Sequence, residues 1–472
     1  MKKLFTAAAA LLLVASSLSA QDKETKSYKV IVDGTTYSAD VLEQNGNKSS
    51  VRVDGDLYAV EKVEKTVEAV STPKKEESAG PKFKVYGFLR NYFTYDTRVS
   101  TAGTEDFYYW MPKDVKMVNG TDVNEVSSFR FAALTSRLGV DLSGLEYDGY
   151  KVGGKFEADF YSGLSGNTGT AQFRLRQAFI TVAKNNRSWK VGQAWHPMAA
   201  DLPDIFSLES GAPFGPFSRT PLVQFDVKMG DVVSFTTAAI WQMQYTSTGP
   251  EGASANYIKY GCTPELYAGF NFKKGKSTFK IGGDLLSIKP RQVNATGFAK
   301  DRLTSWNVFM YAANSIGALD LKTKLTYAND GSHMNLIGGY GVYAIDETYD
   351  NWEYVATRTA AGWATLSYKK GKWVPSMLIG YSKNLGTPVD VYGDKNESGA
   401  YMYRWAKNSA ETLDYIFRVQ PEIIYNLGKL QFGLEYMLTG VNYGDKGPRM
   451  NASGNLHMVM NHRVQMLMKL NF

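Results

Sequence analysis

The sequence predicts an all-β protein: a closed transmembrane antiparallel barrel of sixteen strands, preceded by a small N-terminal β-rich extension. Two observations carry most of this prediction. From Lys82 to Phe472 the chain is built of segments of roughly ten residues that alternate in polarity, and their connections alternate between long and short. A third observation is an N-terminal segment with the features of an export signal.

The composition excludes several classes of protein. The 472 residues are 44% hydrophobic, which is ample for a packed core and argues against a disordered chain. A single cysteine, Cys262, excludes a disulfide scaffold. The formal charge of +7 falls to +5 without Lys2 and Lys3, and it is too mild and too dispersed to indicate nucleic-acid binding.

Residues 1–20 are predicted to be a signal peptide. Lys2 and Lys3 precede a mostly Ala/Leu run that ends near Leu18, and the small Ser19 and Ala20 follow. The run is shorter than the about 20 apolar residues that a membrane anchor needs. No later stretch reaches about 18 apolar residues, so helical membrane spans are excluded.

Residues 21–70 form a separate periplasmic extension. Asp33 and Asp54, each followed by Gly, interrupt short alternating runs and predict hairpins. A set of valines then recurs at 3-4-3 spacing: Val60, Val63, Val67 and Val70. This spacing fits a short coiled coil, a continued strand or a solvated helix equally well. The charged, Pro-bounded residues 71–81 are predicted to be a linker before the barrel at 82–472.

The connections fix the number of barrel strands. The short ones are Gly144–Gly149, Lys184–Arg187, 230–231, 273–276, 315–317, 370–371 and 428. The long ones are 96–130, 163–172, 196–220, 246–261, 290–302, 329–356, 385–410 and 444–456. Fifteen alternating connections join sixteen strands. The strand-like residues 336–345 are assigned to an outward extension of a loop, because an odd count would put the two ends of the barrel on opposite membrane faces.

A membrane barrel is favoured over a soluble sandwich, which also alternates. Tyr and Trp gather near predicted strand ends, as interfacial girdles require, at Tyr92, Tyr95, Trp189, Trp195, Tyr245, Tyr368 and Trp373. Closure also removes the unpaired strand edges that lipid cannot satisfy. The final segment alternates and ends in Met468, Leu470 and Phe472, and it resembles the C-terminal signal read by the barrel assembly machinery of outer membranes.

Several segments in the first half of the barrel resemble the DcaP-like trimeric porins. They are Tyr86–Arg90 (YGFLR), Thr135–Asp141 (TSRLGVD), Gly153–Phe160 (GGKFEADF), Phe173–Val182 (FRLRQAFITV) and Val191–Trp195 (VGQAW). The resemblance implies a homotrimer of sixteen-stranded barrels in the lipid of the Gram-negative outer membrane, and passive diffusion of small hydrophilic, often anionic solutes. It also implies an N-terminal periplasmic extension, although here that extension is mainly hairpin-like.

The third long connection is predicted to fold inward and narrow the pore, as it does in general porins. It is rich in Pro and Gly and carries Asp201, Asp204, Glu209 and Arg219. The early strands offer four cations to the lumen: Arg90, Arg137, Arg174 and Arg176. An acidic loop opposite a basic wall would create a transverse field that attracts anions. Alternatively, these arginines are structural and only pair with the loop carboxylates.

The fourth strand presents a conflict of phase. If Arg174 and Arg176 face the lumen, strict alternation turns Gln177 and Thr181 towards lipid. Either a β-bulge shifts the alternation or a neighbouring subunit covers this face.

Other functions find less support, and we predict no enzyme, no cofactor and no metal site. The four histidines, His196, His333, His457 and His462, fit no catalytic triad, metal motif or phosphate loop. An energy-coupled transporter would need a plug and about 22 strands. A barrel-anchored surface adhesin or structural protein stays open, because the aromatic stretch 107–111 could bind a partner, cover the pore mouth or pack on a neighbouring barrel.

Overall fold

The computed structural model describes residues 26–32, 35–45, 48–53, 56–61, 80–161, 171–392, 402–404 and 412–472. The predicted signal peptide, the valine repeat after Val60 and most of the predicted linker lie outside these residues. The chain divides into two compact units, Met1–Glu77 and Ser78–Phe472.

The first unit contains a four-stranded antiparallel sheet in which each strand pairs with the next. Its strands are Lys26–Val32, Thr35–Asn45, Lys48–Val53 and Asp56–Glu61. The strands on either side of each Asp-Gly position pair as hairpins, in line with the turn chemistry of that dipeptide.

The second unit is a closed antiparallel barrel of sixteen strands, as the sequence predicts. The strands are β1 (Lys82–Asp96), β2 (Arg137–Tyr147), β3 (Tyr150–Phe160), β4 (Phe173–Lys184), β5 (Arg187–Trp195), β6 (Arg219–Met229), β7 (Val233–Ile240), β8 (Glu265–Lys274), β9 (Ser277–Ile288), β10 (Leu303–Ile316), β11 (Leu319–Asn329), β12 (Arg358–Tyr368), β13 (Trp373–Gly386), β14 (Leu413–Leu427), β15 (Leu430–Tyr443) and β16 (His457–Asn471). A further segment, Ser128–Ala132, continues the line of β2 and pairs with the upper half of β1.

The barrel closes where β16 pairs with β1. The register runs from Arg463 opposite Asp96 to Asn471 opposite Phe88. Beyond it, the backbone N–H of Phe472 donates to the carbonyl of Gly87 at 3.1 Å. Closure leaves no free edge among the barrel strands.

The strand-like residues near 340 do not enter the barrel. Gly339–Asp346 pairs with Asn351–Ala356 and with Met402–Arg404 in a separate three-stranded sheet. The assignment of these residues to a loop extension is therefore confirmed.

The alternation separates an apolar outer face from a polar inner face. On β1, Phe83, Val85 and Leu89 point outward and are each more than half exposed, whereas Thr94 and Asp96 are buried inside. The same alternation continues through the other strands. The outer surface is thus suited to lipid and the interior to water and charge.

A β-bulge resolves the conflict of phase in β4. Glu157 pairs with Gln177 but the next residue, Ala158, pairs with Leu175, so Arg176 is the extra residue. Beyond the bulge, Gln177 and Phe179 line lumen-facing cavities and Ile180 is 59% exposed on the outer face. The extra residue lets Arg174, Arg176 and Gln177 all face the lumen.

The aromatic girdle is only partly as predicted. Tyr95, Trp189, Tyr368 and Trp373 are exposed on the outer face. The other three of the predicted set, Tyr92, Trp195 and Tyr245, instead pack among buried residues. Their positions near strand ends carry no information on which face they occupy.

Parts of three long loops pack inside the barrel, and we call these loops L1 (residues 97–127), L3 (196–218) and L6 (330–357). L1 contains short strands at Ser100–Gly103, Tyr108–Pro112, Met117–Val118 and Thr121–Asp122. The remaining elements are α1 (Asn256–Gly261), a 3₁₀ turn at Gly331–Met334 in L6, and a hairpin of Val293–Asn294 with Gly297–Phe298. Among the described residues, no helix is long and apolar enough to cross a membrane.

Candidate functional site

A cavity of about 450 Å³ lies inside the barrel between L3 and the first strands. Its wall carries six cationic side chains: Arg90, Arg137, Arg174, Arg176, Arg219 and Lys469. The four wall arginines chosen from the sequence therefore converge on one place. They do so because β1 to β4 are adjacent and each presents its inward face at the same height.

Two carboxylates of β3, Glu157 and Asp159, hold three of the arginines. Arg176 contacts both, with Nε 2.7 Å from Glu157 Oε1 and Nη1 2.9 Å from Asp159 Oδ2. Arg174 donates two hydrogen bonds of 3.0 Å to Asp159. Arg137 lies more loosely, at 3.7 Å and 3.8 Å from the two acids. The structural pairing considered for these arginines exists, but its acids come from the barrel wall and not from the loop.

The other three cations have no carboxylate within ion-pair distance among the described residues. Arg90 donates from Nε to Thr135 Oγ1 at 2.9 Å. Lys469 lies over the ring of Phe88 at 4.6 Å. With six cations against two carboxylates, the cavity lining carries a net charge of +4.

Arg219 is the most unusual of these cations. It is 2% exposed, and its guanidinium lies 4.6 Å from the ring of Trp195 and 5.5 Å from that of Phe217. Its Nη1 makes no hydrogen bond within the described part of the chain. A buried guanidinium in this state is costly unless water or an anion reaches it.

Facing these cations, L3 presents apolar side chains. Leu202, Ile205 and Leu208 line the cavity opposite the wall of arginines. One side of the cavity is therefore basic and the other is aliphatic, and both are fixed to the barrel.

L3 is held by polar contacts along its length. Lys324 of β11, 1% exposed, donates from Nζ to the carbonyls of Met198 at 2.9 Å and Asp201 at 2.7 Å. Glu422 of β14 accepts from the backbone N–H of Phe206 at 2.9 Å. These contacts satisfy backbone groups that an inward loop would otherwise bury without partners.

The predicted acidic face of L3 is wrong. Asp201 binds Lys280 at 2.7 Å, Asp204 binds Lys322 at 2.6 Å and Lys369 at 2.9 Å, and Glu209 lies 3.4 Å from Arg418. All of these cations belong to β9, β11, β14 or the turn after β12. L3 lies against that far side of the barrel, so its carboxylates are neutralised there and do not oppose the arginines.

Two further expectations change. Arg219 is the first residue of β6 and joins the basic wall, whereas the sequence placed it with the acidic loop.

The aromatic stretch Tyr108–Pro112 is fully buried. Trp110 donates to Asn335 of L6 at 2.9 Å, and the Trp110 carbonyl accepts from Arg418 at 2.8 Å. This aromatic stretch therefore packs inside the barrel and is not exposed for binding a partner or a neighbouring barrel.

A second cavity of about 710 Å³ adjoins the first, and Gln177 and Trp195 line both. It reaches the short β6–β7 turn at Gly230, so it lies towards that end of the barrel. Four lysines line it: Lys190, Lys228, Lys273 and Lys280. With Asp226 and Asp231 also in the lining, the second cavity carries two more cations than acids, so both cavities are mainly basic.

Sequence reasoning missed Glu157, Asp159 and Lys469 as members of the site. The first two carry a signal, since they alternate on the same face of β3 as other polar residues. Lys469 lies near the end of the chain, and only closure of the barrel brings it beside Arg90.

No protein-family model and no curated protein matches the chain. Solved structures do. The outer membrane channel DcaP of Acinetobacter baumannii superposes with a TM-score of 0.59 at 20% identity, over 84% of this chain and 98% of that one. The barrel has the fold of the DcaP-like porins. An anion-selective porin from Comamonas acidovorans matches with a TM-score of 0.51 at 11% identity, over 83% of this chain and 100% of that one.

The porin fold accounts for the general plan of this chain. Sixteen strands enclose an interior wide enough for an aqueous channel, so a barrel of this size selects among solutes only if loops narrow it. In this barrel, parts of L1, L3 and L6 pack inside the lumen, and the arginine-lined cavity is left beside β1–β4.

Proposed function

We propose that the chain is a porin of the Gram-negative outer membrane that admits small hydrophilic anions by passive diffusion. The observation that carries the proposal is the cavity between L3 and the first strands, whose lining contains six cations and two carboxylates. A cleft of one charge sign between low-dielectric walls raises the local concentration of ions of the opposite sign. The anion-selective porin among the structural neighbours is consistent with this reading.

Diffusion, rather than tight binding, fits the arrangement of charges. Conduction requires sites that attract a solute yet release it to the next site. Arg137, Arg174 and Arg176 are partly neutralised by Glu157 and Asp159, so they attract an anion less strongly than free arginines would. The lysines of the second cavity offer the next weak positions along the path.

The proposal includes a homotrimer, on the strength of the family resemblance in β1–β5. It also includes insertion by the barrel assembly machinery through the C-terminal strand. Met468, Leu470 and Phe472 point outward there and are exposed, so a partner could read them.

The test is single-channel recording of the mature protein in a planar bilayer under a salt gradient. We expect steps that close in threes and a reversal potential that shows preference for anions. The Arg90→Gln/Arg219→Gln double variant should shift the reversal potential towards cations, because it removes two charges that have no carboxylate partner among the described residues. Arg187→Gln, at the exposed start of β5, is the matched control and should leave the reversal potential unchanged.

Preference for cations in the unchanged protein would contradict the assignment of the arginines. A folded barrel that conducts nothing would contradict the porin function and favour an anchored adhesin.

A further inference from the structure

A groove of about 860 Å³ lies on the outer, lipid-facing side of the barrel, over β11, β12 and β13. Its floor is β12, whose outward-facing residues there are only Ala360, Gly362 and Ala364. Leu325 of β11 lies opposite Gly362, Ile379 of β13 lies opposite Ala364, and these two side chains, each 53% exposed, form the walls. We call this depression the outer groove. Its small floor residues leave a gap that another molecule must fill if the walls are to keep their contacts.

One end of the outer groove lies at the membrane interface on the side of the long loops. Trp373 is exposed on the outer face of β13, next to the short turn that precedes this strand. Lys383 faces the same side ten residues later. Ten residues of a strand tilted by about 40° rise about 25 Å along the membrane normal, which is about the height of the apolar band of outer-membrane barrels. Lys383 therefore lies at the interface opposite to that of Trp373.

Two cations border this end of the outer groove. Lys383 lies opposite Ala360, and Arg358 is two residues before Ala360 on the same face of β12. Diagonal positions of this kind on neighbouring strands are about 7–8 Å apart, so two long side chains can reach one phosphate between them. Lys383 contacts Asp414 of β14, and Nε of Arg358 donates to the carbonyl of Gly386 at 3.2 Å.

These contacts leave several N–H donors for an anion. An ammonium group has three donors and a guanidinium has five, and Asp414 and Gly386 each accept from one. The Lys383 side chain is 35% exposed, and Arg358 has no carboxylate within ion-pair distance among the described residues. Arginine binds phosphate through paired hydrogen bonds and lysine binds it as a point charge. The two side chains can therefore hold a phosphate at the end of the groove.

Two aromatic pairs lie on either side of the same end. Tyr327, which is opposite Ala360, stacks on Trp306 with ring centroids 5.5 Å apart. Tyr381 stacks on Tyr415 at 5.6 Å. Tyr and Trp are enriched at the level of lipid head groups. The outer groove thus passes from an apolar floor to aromatic rings and then to cations, which is the order of acyl chain, head group and phosphate in an anionic lipid.

We propose that the outer groove binds a phosphorylated glycolipid of the outer leaflet, of the lipid A class, with one acyl chain over Ala360–Ala364 and a phosphate on Arg358 and Lys383. Long loops of outer-membrane barrels are extracellular, so lipids of the outer leaflet are the ones whose phosphates lie at this height. A second barrel is a poorer occupant, because its apolar outer face would cover both cations without supplying an anion.

The experiment measures binding of synthetic diphosphoryl lipid A to the refolded mature protein in detergent micelles by native mass spectrometry. We expect one tightly bound lipid A per barrel and much weaker binding of its dephosphorylated form. The Arg358→Gln/Lys383→Gln variant should lose about 30-fold in affinity, since each cation near a membrane surface contributes about fivefold. Lys116→Gln, exposed in L1, is the control and should bind as the unchanged protein does.

A second variant tests the acyl-chain part of the outer groove. Ala360→Leu/Ala364→Leu fills the floor and keeps both cations, so affinity for lipid A should fall by about 10-fold or more. Ala268→Leu, on the exposed outer face of β8, adds the same side chain away from the groove and is its control. Heat-dependent mobility in gels confirms that each variant is folded.

Four results would overturn the proposal. They are equal affinity for lipid A and its dephosphorylated form, equal affinity for phosphatidylglycerol, unchanged binding by the groove-filling variant, and a change of oligomeric state in that variant without a loss of lipid. The first two need only the unchanged protein, so they decide the matter even if a variant fails to fold. None of these results depends on whether the barrel conducts.

Discussion

Individual cations in the arginine-lined cavity differ in what holds them, and this decides how they respond to substitution. Arg219 is enclosed by two aromatic rings and has no carboxylate partner among the described residues. Arg176 is shared between two acids. Loss of the first charge leaves no acid of the described residues without its partner, whereas loss of the second breaks two ion pairs of the barrel wall.

Replacing Arg219 by Gln should change selectivity with little effect on the barrel. No acid loses a partner, so we expect an unchanged heat-induced unfolding temperature and a reversal potential displaced towards cations. The measurement pairs bilayer recording with the heat-dependent mobility of the barrel in gels. A reversal potential equal to that of the unchanged protein would show that solutes do not approach Arg219.

Replacing Arg176 by Gln should destabilise the barrel more than replacing Arg219 does. It leaves Glu157 and Asp159, both nearly buried, with fewer counter-charges, and breaking a buried pair from one side costs about 3 kcal/mol. We expect a lower unfolding temperature than in Arg219→Gln, because only Arg176 is paired with buried acids. The combined Arg176→Gln/Glu157→Gln variant should recover part of the stability, and the absence of any recovery would argue against the pairing.

At the scale of elements, the position of L3 is set by contacts that no local pattern reveals. Alternation of polarity predicted the strands and the inward faces of β1–β3, and the order of long and short connections predicted the number of strands, because each of these depends on neighbouring residues. The bulge at Arg176 was one of two open explanations, and only the register with β3 decides between them. The acids of L3 were misplaced because their partners are remote: Asp201 and Lys280 are 79 positions apart.

Lys324 is the contact through which β11 holds L3. In Lys324→Met the carbonyls of Met198 and Asp201 lose their buried donor, at a cost of about 1–3 kcal/mol for groups left unsatisfied. We expect L3 to loosen, and single-channel conductance to become larger and noisier. Lys276→Met, in the exposed turn after β8, is the control. Identical current traces for the two variants would contradict this role of Lys324.

For the whole molecule, closure depends on the contact between β1 and β16. A Cβ added at Gly87 would overlap the carbonyl oxygen of Arg137 and would lie 2.5 Å from the ring of Phe472. Gly87→Val should therefore reduce the yield of folded barrel, measured by its heat-dependent mobility after refolding in detergent. Gly80→Val, where no atom lies within 4 Å of an added Cβ, should refold as the unchanged chain does. Equal yields would show that β1 tolerates displacement at this point.

The pairing of β1 with β16 also sets an order of events in time. Arg463 and Asp96, which face each other across it, are 367 positions apart. Because synthesis runs from the N-terminus, β1 is made before the other barrel strands, and it cannot meet β16 until almost the whole barrel sequence has been made. Until then one edge of β1 has no partner, and such an edge is a template for aggregation. The unfinished barrel must therefore be protected from aggregation until β1 and β16 pair. This delay follows from the closure of the barrel, which joins its first strand to its last.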